Sequence, residues 1–336
     1  METALAAALG LLVLQTAAAQ AQDWDKVVEA AKKEGTVVVY HAQLGAAHWK
    51  KVVAAFQAKY GIKVQELDAR ASELTERIRT EQTSGRYVAD VEFHGEASIV
   101  EQRQTNFVAE HGGMPNIKTL RKEFPADNWA VPAWVQMGCA LINTNLVKPA
   151  EEPKSWRDFL DPKWKGKILS DDMRAVGTGQ TQFAVFHKTP GLGPDFLLKL
   201  KDQNLVIHRD LQQNSRRVAR GEFPIGLQQI IAFAFDLKGL PVKVVIPEEG
   251  CPYTQINGAM LRGAPHPNAA RLFINHLIDV ESQLTYATAW MGTVVAGIAD
   301  KLTDPDAKRF AAAKGLGAIK FEDRAPMLKA AVEMFK

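Results

Sequence analysis

Cysteine is almost missing from this chain: Cys139 and Cys251 are the only two among 336 residues. A pair so far apart forms no Cys-x-x-Cys redox or zinc motif. It leaves either one disulfide or two separate buried thiols, and spacing alone does not choose between them. Long hydrophobic runs are absent too. Leu5 to Leu14 is a ten-residue apolar stretch, too short to span a bilayer as a helix, and no later stretch is long enough. Charge of one sign is scarce: 41 Lys and Arg stand against 38 Asp and Glu, a formal net charge of +3. The excess is spread without a basic block, which argues against nucleic acid as a partner and fits an acidic small ligand. No GxSxG, P-loop or HExxH spacing occurs, so no catalytic motif announces an enzyme.

What is present begins with an export signal. Residues 1–21 combine the apolar stretch with small residues, and Ala17-Ala18-Ala19 or Ala19-Gln20-Ala21 suits a signal peptidase. The charged end of the signal is weak, with Glu2 and no Lys or Arg. No cysteine follows the apolar stretch, so no lipid attachment is expected. The mature chain is expected to be exported, soluble and long enough for two domains.

Strands and helices then alternate. Trp24, Val27, Val28 and Ala31 form one helical stripe that Gly35 stops, and "TVVVYHA" is a β-branched run suited to a parallel strand covered on both faces. Trp49, Val52, Val53, Phe56 and Tyr60 mark a second helix ended by Gly61, followed by the strand "IKVQELD". Ser72 is the expected N-cap of the next helix, and "ADVEFH" is the third strand. This βαβαβ pattern implies an α/β domain with a mostly parallel sheet. After "NWAVPAWVQMGCALINTN", a long extended run, "KSWRDFLDPKWKGKILSDD" opens a second domain. Further on, Asn268 is placed to cap a helix preceded by Pro265 and Pro267. Phe223 to Leu227 reads as a buried strand, with Gln228 and Gln229 where it hands over to a helix.

Six stretches in order carry a family resemblance: "WDKVVEAAKKEGTVVVYHA", "SWRDFLDPKWKGKI", "DDMRAVGTGQT", "ARGEFPIGL", "VKVVIPEEG" and "GAPHPNAARLFINHLIDVESQ". Through them the chain resembles the periplasmic substrate-binding proteins of ABC importers, extracellular solute-binding family 1, within the iron(III)-binding-protein-like group. The resemblance implies a type II periplasmic-binding-protein fold, an α/β fold of two lobes, each a mixed, mostly parallel sheet flanked by helices. It places lobe one at residues 22–133 and 253–300, lobe two at 140–250, and C-terminal helices at 301–336. Two extended hinge crossings fall near 134–141 and 247–260. Both cysteines then sit beside the hinge, where either a Cys139–Cys251 disulfide or two independent buried thiols would fit. The resemblance further implies a periplasmic monomer without cofactor or catalysis. Such a protein closes around a small solute and delivers it to the permease and ATPase of an importer.

Ligand contacts in such proteins come from loops after strands and from helix starts. That rule selects Tyr40, His41, Gln43, Arg70, Ser72 and Glu96, then Asp172, Gly177, Thr178, Gly179, Arg209, Arg216, Gln228 and Tyr253. Gly177-Thr178-Gly179 is suited to an anion at a helix start, where free N–H groups and the helix dipole favour negative charge. Arginines beside helix starts suit a carboxylate or phosphate. Ferric binders of this group carry adjacent tyrosines after the "GEFPI"-type strand; here Gln228 and Gln229 stand there, followed by Ile230 and Ile231. Neutral amides are poor Fe(III) ligands and good two-way hydrogen-bonding groups. The leading expectation is therefore a small, anionic organic solute. The alternatives are a ferric-binding protein using His41 and Glu96 with Tyr40, and a cleft enzyme with a cysteine nucleophile.

Overall fold

The structure, a computed structural model, describes residues 23–43 and 45–336. The expected export signal, residues 1–21, lies outside the described residues. Among the described residues no helix is long and apolar enough to cross a membrane. The chain clusters into two compact units. The first holds the residues up to Phe93 with Asn106–Val131 and Gly258–Asp279; the second holds His94–Thr105, Pro132–Asn257 and Val280–Lys336.

In the first unit the strand Thr36–His41 runs between Lys63–Asp68 and Val91–Gly95, parallel to both, with Tyr40 opposite Leu67 and Val39 opposite Val91. The end of the strand Cys251–Leu261 follows in the sheet and pairs antiparallel with Val108–Ala109. Burial explains the order. Val37, Val39, Val91 and Phe93 are buried, as strands covered on both faces demand. The helix Ala47–Tyr60 lays Trp49, Val52, Val53 and Phe56 against them at the expected helical spacing. Trp49 meets Phe93 edge-on at 5.6 Å, and Phe56 meets Phe273 at 4.9 Å. Gly61 ends that helix at φ 69°, its N–H on Gln57 O at 2.9 Å.

Two helix starts differ from expectation for one reason: carboxylates supply the caps. The helix Ala71–Thr83 begins after Arg70, whose N–H donates to Glu73 Oε2 at 3.2 Å. Strand pairing persists to Ala69, whose N–H reaches His41 O at 3.1 Å. Ser72 therefore falls inside the helix, exposed, and is not its cap. The helix Pro267–Leu277 begins after His266, whose N–H donates to Asp90 Oδ1 at 2.6 Å. Glu34 accepts from Ala269 N at 2.7 Å and from Asn268 Nδ2 at 2.7 Å, so Asn268 does not cap it.

The second unit is a mixed sheet. Its strand order is Ala130–Asn143, Ile225–Ile230, Ile168–Ser170 and Val206–Ile207, with Val242–Val245 antiparallel on the other side of the first. The first two are antiparallel; the strands of Ile225, Ile168 and Val206 run parallel. Its core gathers Trp156, Phe186 and Phe196, with ring centroids 4.7 and 5.3 Å apart. Trp156 also donates its indole N–H to Gly250 O at 2.8 Å. Residues 94–105 and 280–300, assigned to lobe one by the resemblance, cluster here. Arg324, on the helix Phe321–Met334, donates to Ser98 Oγ at 3.1 Å and to Glu101 at 3.0 Å. Gln283 donates to Ala133 O at 2.7 Å. Cys139 and Cys251 are joined by a disulfide, with Cα atoms 5.2 Å apart and both residues fully buried.

Candidate functional site

On the first unit, the strand-end residues are largely spent on one another. The Tyr40 phenol is buried and donates to the Glu81 carboxylate at 2.9 and 3.1 Å, while Arg77 pairs with the same carboxylate. Burial and then Glu81 push the phenol's pKa up to about 12. His41 is buried, with Nε2 3.0 Å from Glu66 Oε1 and Nδ1 3.2 Å from Gln43 N and 3.4 Å from Asp68 Oδ1. The His41–Glu66 bond, with the Trp49 Nε1 donor, holds the Glu66 carboxyl below its ordinary range. Gln43 accepts from His48 Nε2 at 3.2 Å. Burial lowers the His48 pKa to about 4, so this imidazole is neutral at pH 7. Arg70 and Ser72 remain exposed at the first turn of their helix.

On the second unit the strand ends assemble a polar cluster. The strand Ile225–Ile230 does not stop at Leu227. It carries both glutamines within it, with Gln229 opposite Cys139 and Ile230 opposite Gly138. Gln228 lies at φ 60°, a left-handed conformation rarely held by a non-glycine residue and frequent at ligand sites. The twist buries its side chain completely, and its Oε1 accepts from Ser170 Oγ at 2.9 Å and Asp171 N at 2.7 Å. Its Nε2 is buried without a hydrogen-bond partner among the described residues. Gln229 is committed elsewhere, accepting from Ser215 Oγ at 2.8 Å and donating to Leu227 O at 2.7 Å.

Asp171 links Gln228 to the helix Thr178–Lys188. Its Oδ1 accepts from Asp172 N at 2.9 Å and its Oδ2 from Gly179 N at 2.9 Å. Burial raises its pKa in spite of those bonds and the pull of Arg209. The two glycines of Gly177-Thr178-Gly179 have distinct roles. Gly177 sits at φ 145°, and a Cβ on Gly179 would come within 2.4 Å of Asp172 O. Thr178 is half-buried, and a Cβ on Gly138 would lie 3.3 Å from Thr178 Cγ2 and 4.0 Å from Gln228 Cα. Gly138 therefore lets the strand, the helix start and Gln228 meet. Asp172 pairs with Arg174 at 2.8 Å. Arg209 and Arg216 are exposed and make no ion pair among the described residues. Arg209 follows Ile207, which pairs with Ser170. Tyr253 is half-buried, its ring 2.9 Å from where a Cβ on Gly315 would be. Glu96 is exposed at the first position of the helix Glu96–Gln104.

The structure thus brings together Gln228, Asp172, Gly177, Thr178, Gly179 and Arg209 on the second unit. It adds Ser170 and Gly138, which sequence reasoning missed. Ser170 is signalled only as a polar residue ending the strand of "KGKILSDD"; Gly138 has no sequence signal beyond a glycine in an apolar run. Among the described residues no group of three or more His, Cys, Asp or Glu side chains is arranged to hold a metal ion. The cysteine nucleophile loses its basis, because both sulfurs are in the disulfide.

Solved structures with this architecture are periplasmic binding proteins, and they show the type II fold of that class. The substrate-binding protein of an ABC transporter from Agrobacterium tumefaciens superposes with a TM-score of 0.76 at 16% identity, covering 90% of this chain and 94% of its own. AfuA from Actinobacillus pleuropneumoniae, with fructose-6-phosphate bound, gives 0.71 at 20% identity, covering 90% and 98%. Iron-bound HitA from Pseudomonas aeruginosa gives 0.69 at 19%, covering 88% and 99%. The chain belongs to the bacterial extracellular solute-binding protein family, whose sequence profile matches residues 51–313. A Haemophilus influenzae protein described only as uncharacterized is 32% identical over 136 residues. That match spans 40% of this chain and 39% of the relative.

Proposed function

We propose that this protein is the periplasmic solute-binding component of an ABC uptake transporter. It captures a small, anionic organic solute as a monomer and hands it to the permease and its ATPase, with no catalysis and no cofactor. The carrying observation is Gln228: a fully buried amide in a left-handed conformation, anchored through Oε1 to Ser170 and Asp171, with an Nε2 that has no partner among the described residues. Strain and an orphaned donor together are costly, and proteins keep such features where a ligand uses them.

Three features support an organic anion over ferric ion. Amides stand where the ferric binders of the group have adjacent tyrosines. Tyr40, the phenol of the ferric alternative, donates to a carboxylate and has its pKa raised, whereas a phenolate ligand needs the reverse. Arg209, exposed and without an ion pair among the described residues, supplies a positive charge on the second unit. Calorimetry of ligand-stripped protein against a panel of organic acids tests the reading. Saturable binding that weakens at least about tenfold in Gln228→Ala is expected, corresponding to one lost hydrogen bond to a charged group. Binding of no acid in the panel, with tight binding of ferric ion, refutes it.

A further inference from the structure

An anion position at a helix start is normally open to a ligand. Here it is filled. The Asp171 carboxylate takes the Gly179 N–H at 2.9 Å with one oxygen and the Asp172 N–H at 2.9 Å with the other. Its own N–H is held by Gln228 Oε1 at 2.7 Å, so the carboxylate has little room to swing aside. Sterics agree, since the Asp172 carbonyl is packed so tightly on the helix start that only glycine fits at position 179. Asp171 is 8% exposed and has no ion-pair partner among the described residues; Arg209 attracts it from further away. Burial raises its pKa, while the two N–H donors and Arg209 favour the charged form that the helix start holds. Beside it, Thr178 is half-buried, and Gln228 has an Nε2 without a partner among the described residues.

We propose that Asp171 sets the charge class of the solute, its carboxylate filling the anion position of this helix start so that the protein takes a singly charged carboxylate and rejects phosphate and sulfate dianions. The inference rests on the solute-binding reading above. Repulsion from the buried Asp171 carboxylate and attraction to the exposed Arg209 both double for a dianion, but water screens the exposed guanidinium more strongly, so the net opposition grows with ligand charge. Low exposure weakens the solvent screening that would otherwise mute the difference. The monoanion's carboxylate is left to the Arg209 guanidinium and the Thr178 hydroxyl as donors.

The test compares ligand-free wild-type protein with Asp171→Ala and Asp171→Asn, using inorganic phosphate, sulfate and formate as probes at about pH 7.5, where sulfate is fully ionised. Thermal melting and calorimetry are the readouts. Wild type is expected to show no melting shift with phosphate or sulfate. Asp171→Ala vacates an anion-sized space lined by two backbone donors, so formate and sulfate are expected to raise its melting temperature and phosphate affinity to rise at least about tenfold. Asp171→Asn keeps the shape while removing the charge, and serves if the alanine variant does not fold. Wild-type protein that binds phosphate or sulfate as tightly as the variants overturns the proposal. So do folded variants that gain no anion binding. Failure of the parent reading looks different: wild type then binds no organic acid, while the variants still gain phosphate.

Discussion

Replacing both disulfide cysteines by alanine has a cost that can be worked from the chain itself. Cys139 and Cys251 are 112 residues apart and fully buried, and the bond joins two strands of the second unit. In the chain-entropy account a loop of about that length removes roughly 16 cal/mol/K from the unfolded ensemble, or about 4.8 kcal/mol at 25 °C. Packing lost with the two sulfurs adds to this, while residual structure in the reduced unfolded chain subtracts from it. Melting entropy of about 2 cal/mol/K per residue, over a unit near 200 residues, turns this into a fall of roughly 10 °C. Differential scanning calorimetry of the double variant against oxidised wild type measures it directly. Wild type melted with reductant should approach the variant. A fall under about 2 °C, with two titratable thiols in denatured wild type, would refute the reasoning by showing that the bond is absent or carries no constraint.

Further outcomes follow from single groups. Tyr40→Phe strips a donor from the buried Glu81 carboxylate and is expected to cost about 1–3 kcal/mol in urea unfolding while leaving solute affinity unchanged; an affinity loss would place the phenol on the ligand. Gly179→Ala forces a Cβ to within 2.4 Å of Asp172 O, so it should abolish binding and cost over about 2 kcal/mol, and a wild-type melt would sink the packing account. His48 has its folded pKa depressed by burial to about 4 against an ordinary 6.5. The unfolded chain therefore takes up the proton first. Stability from this group is complete above pH 6.5 and is lost as pH falls toward 4, by about 3 kcal/mol in all. His48→Gln should flatten that part of the pH profile, and equal slopes in urea melts of both proteins would contradict the cause assigned.

Local chemistry made most of the elements readable in advance. The stripe Trp49, Val52, Val53, Phe56 and the terminator Gly61 lie within one helix and its cap, and the structure uses them as expected. The β-branched run before Tyr40 likewise needs no distant partner to read as a strand. Expectations failed where a remote group intervenes. Ser72 and Asn268 are good capping residues by type, yet Glu73, Glu34 and Asp90 deliver carboxylates to those helix starts first. The strand runs past Gln228 to Ile230 because a left-handed residue lets it carry on, and glutamine gives no hint of such a backbone. On the first unit, Tyr40 and His41 do stand at strand ends; their engagement with Glu81 and Glu66 depends on which neighbours the fold brings alongside. Asp171 was legible as an acid after a strand, but its grip on Gly179 N–H could be seen only in three dimensions.

The most direct test of the central claim is native mass spectrometry of the protein as purified, set against its denatured mass. The account predicts an excess that matches an organic acid and disappears on denaturation, and a denatured mass, without reductant, two hydrogens below that of the free thiols. An excess matching iron would contradict it, overturning the reading of Gln228 and Tyr40 in favour of a ferric carrier.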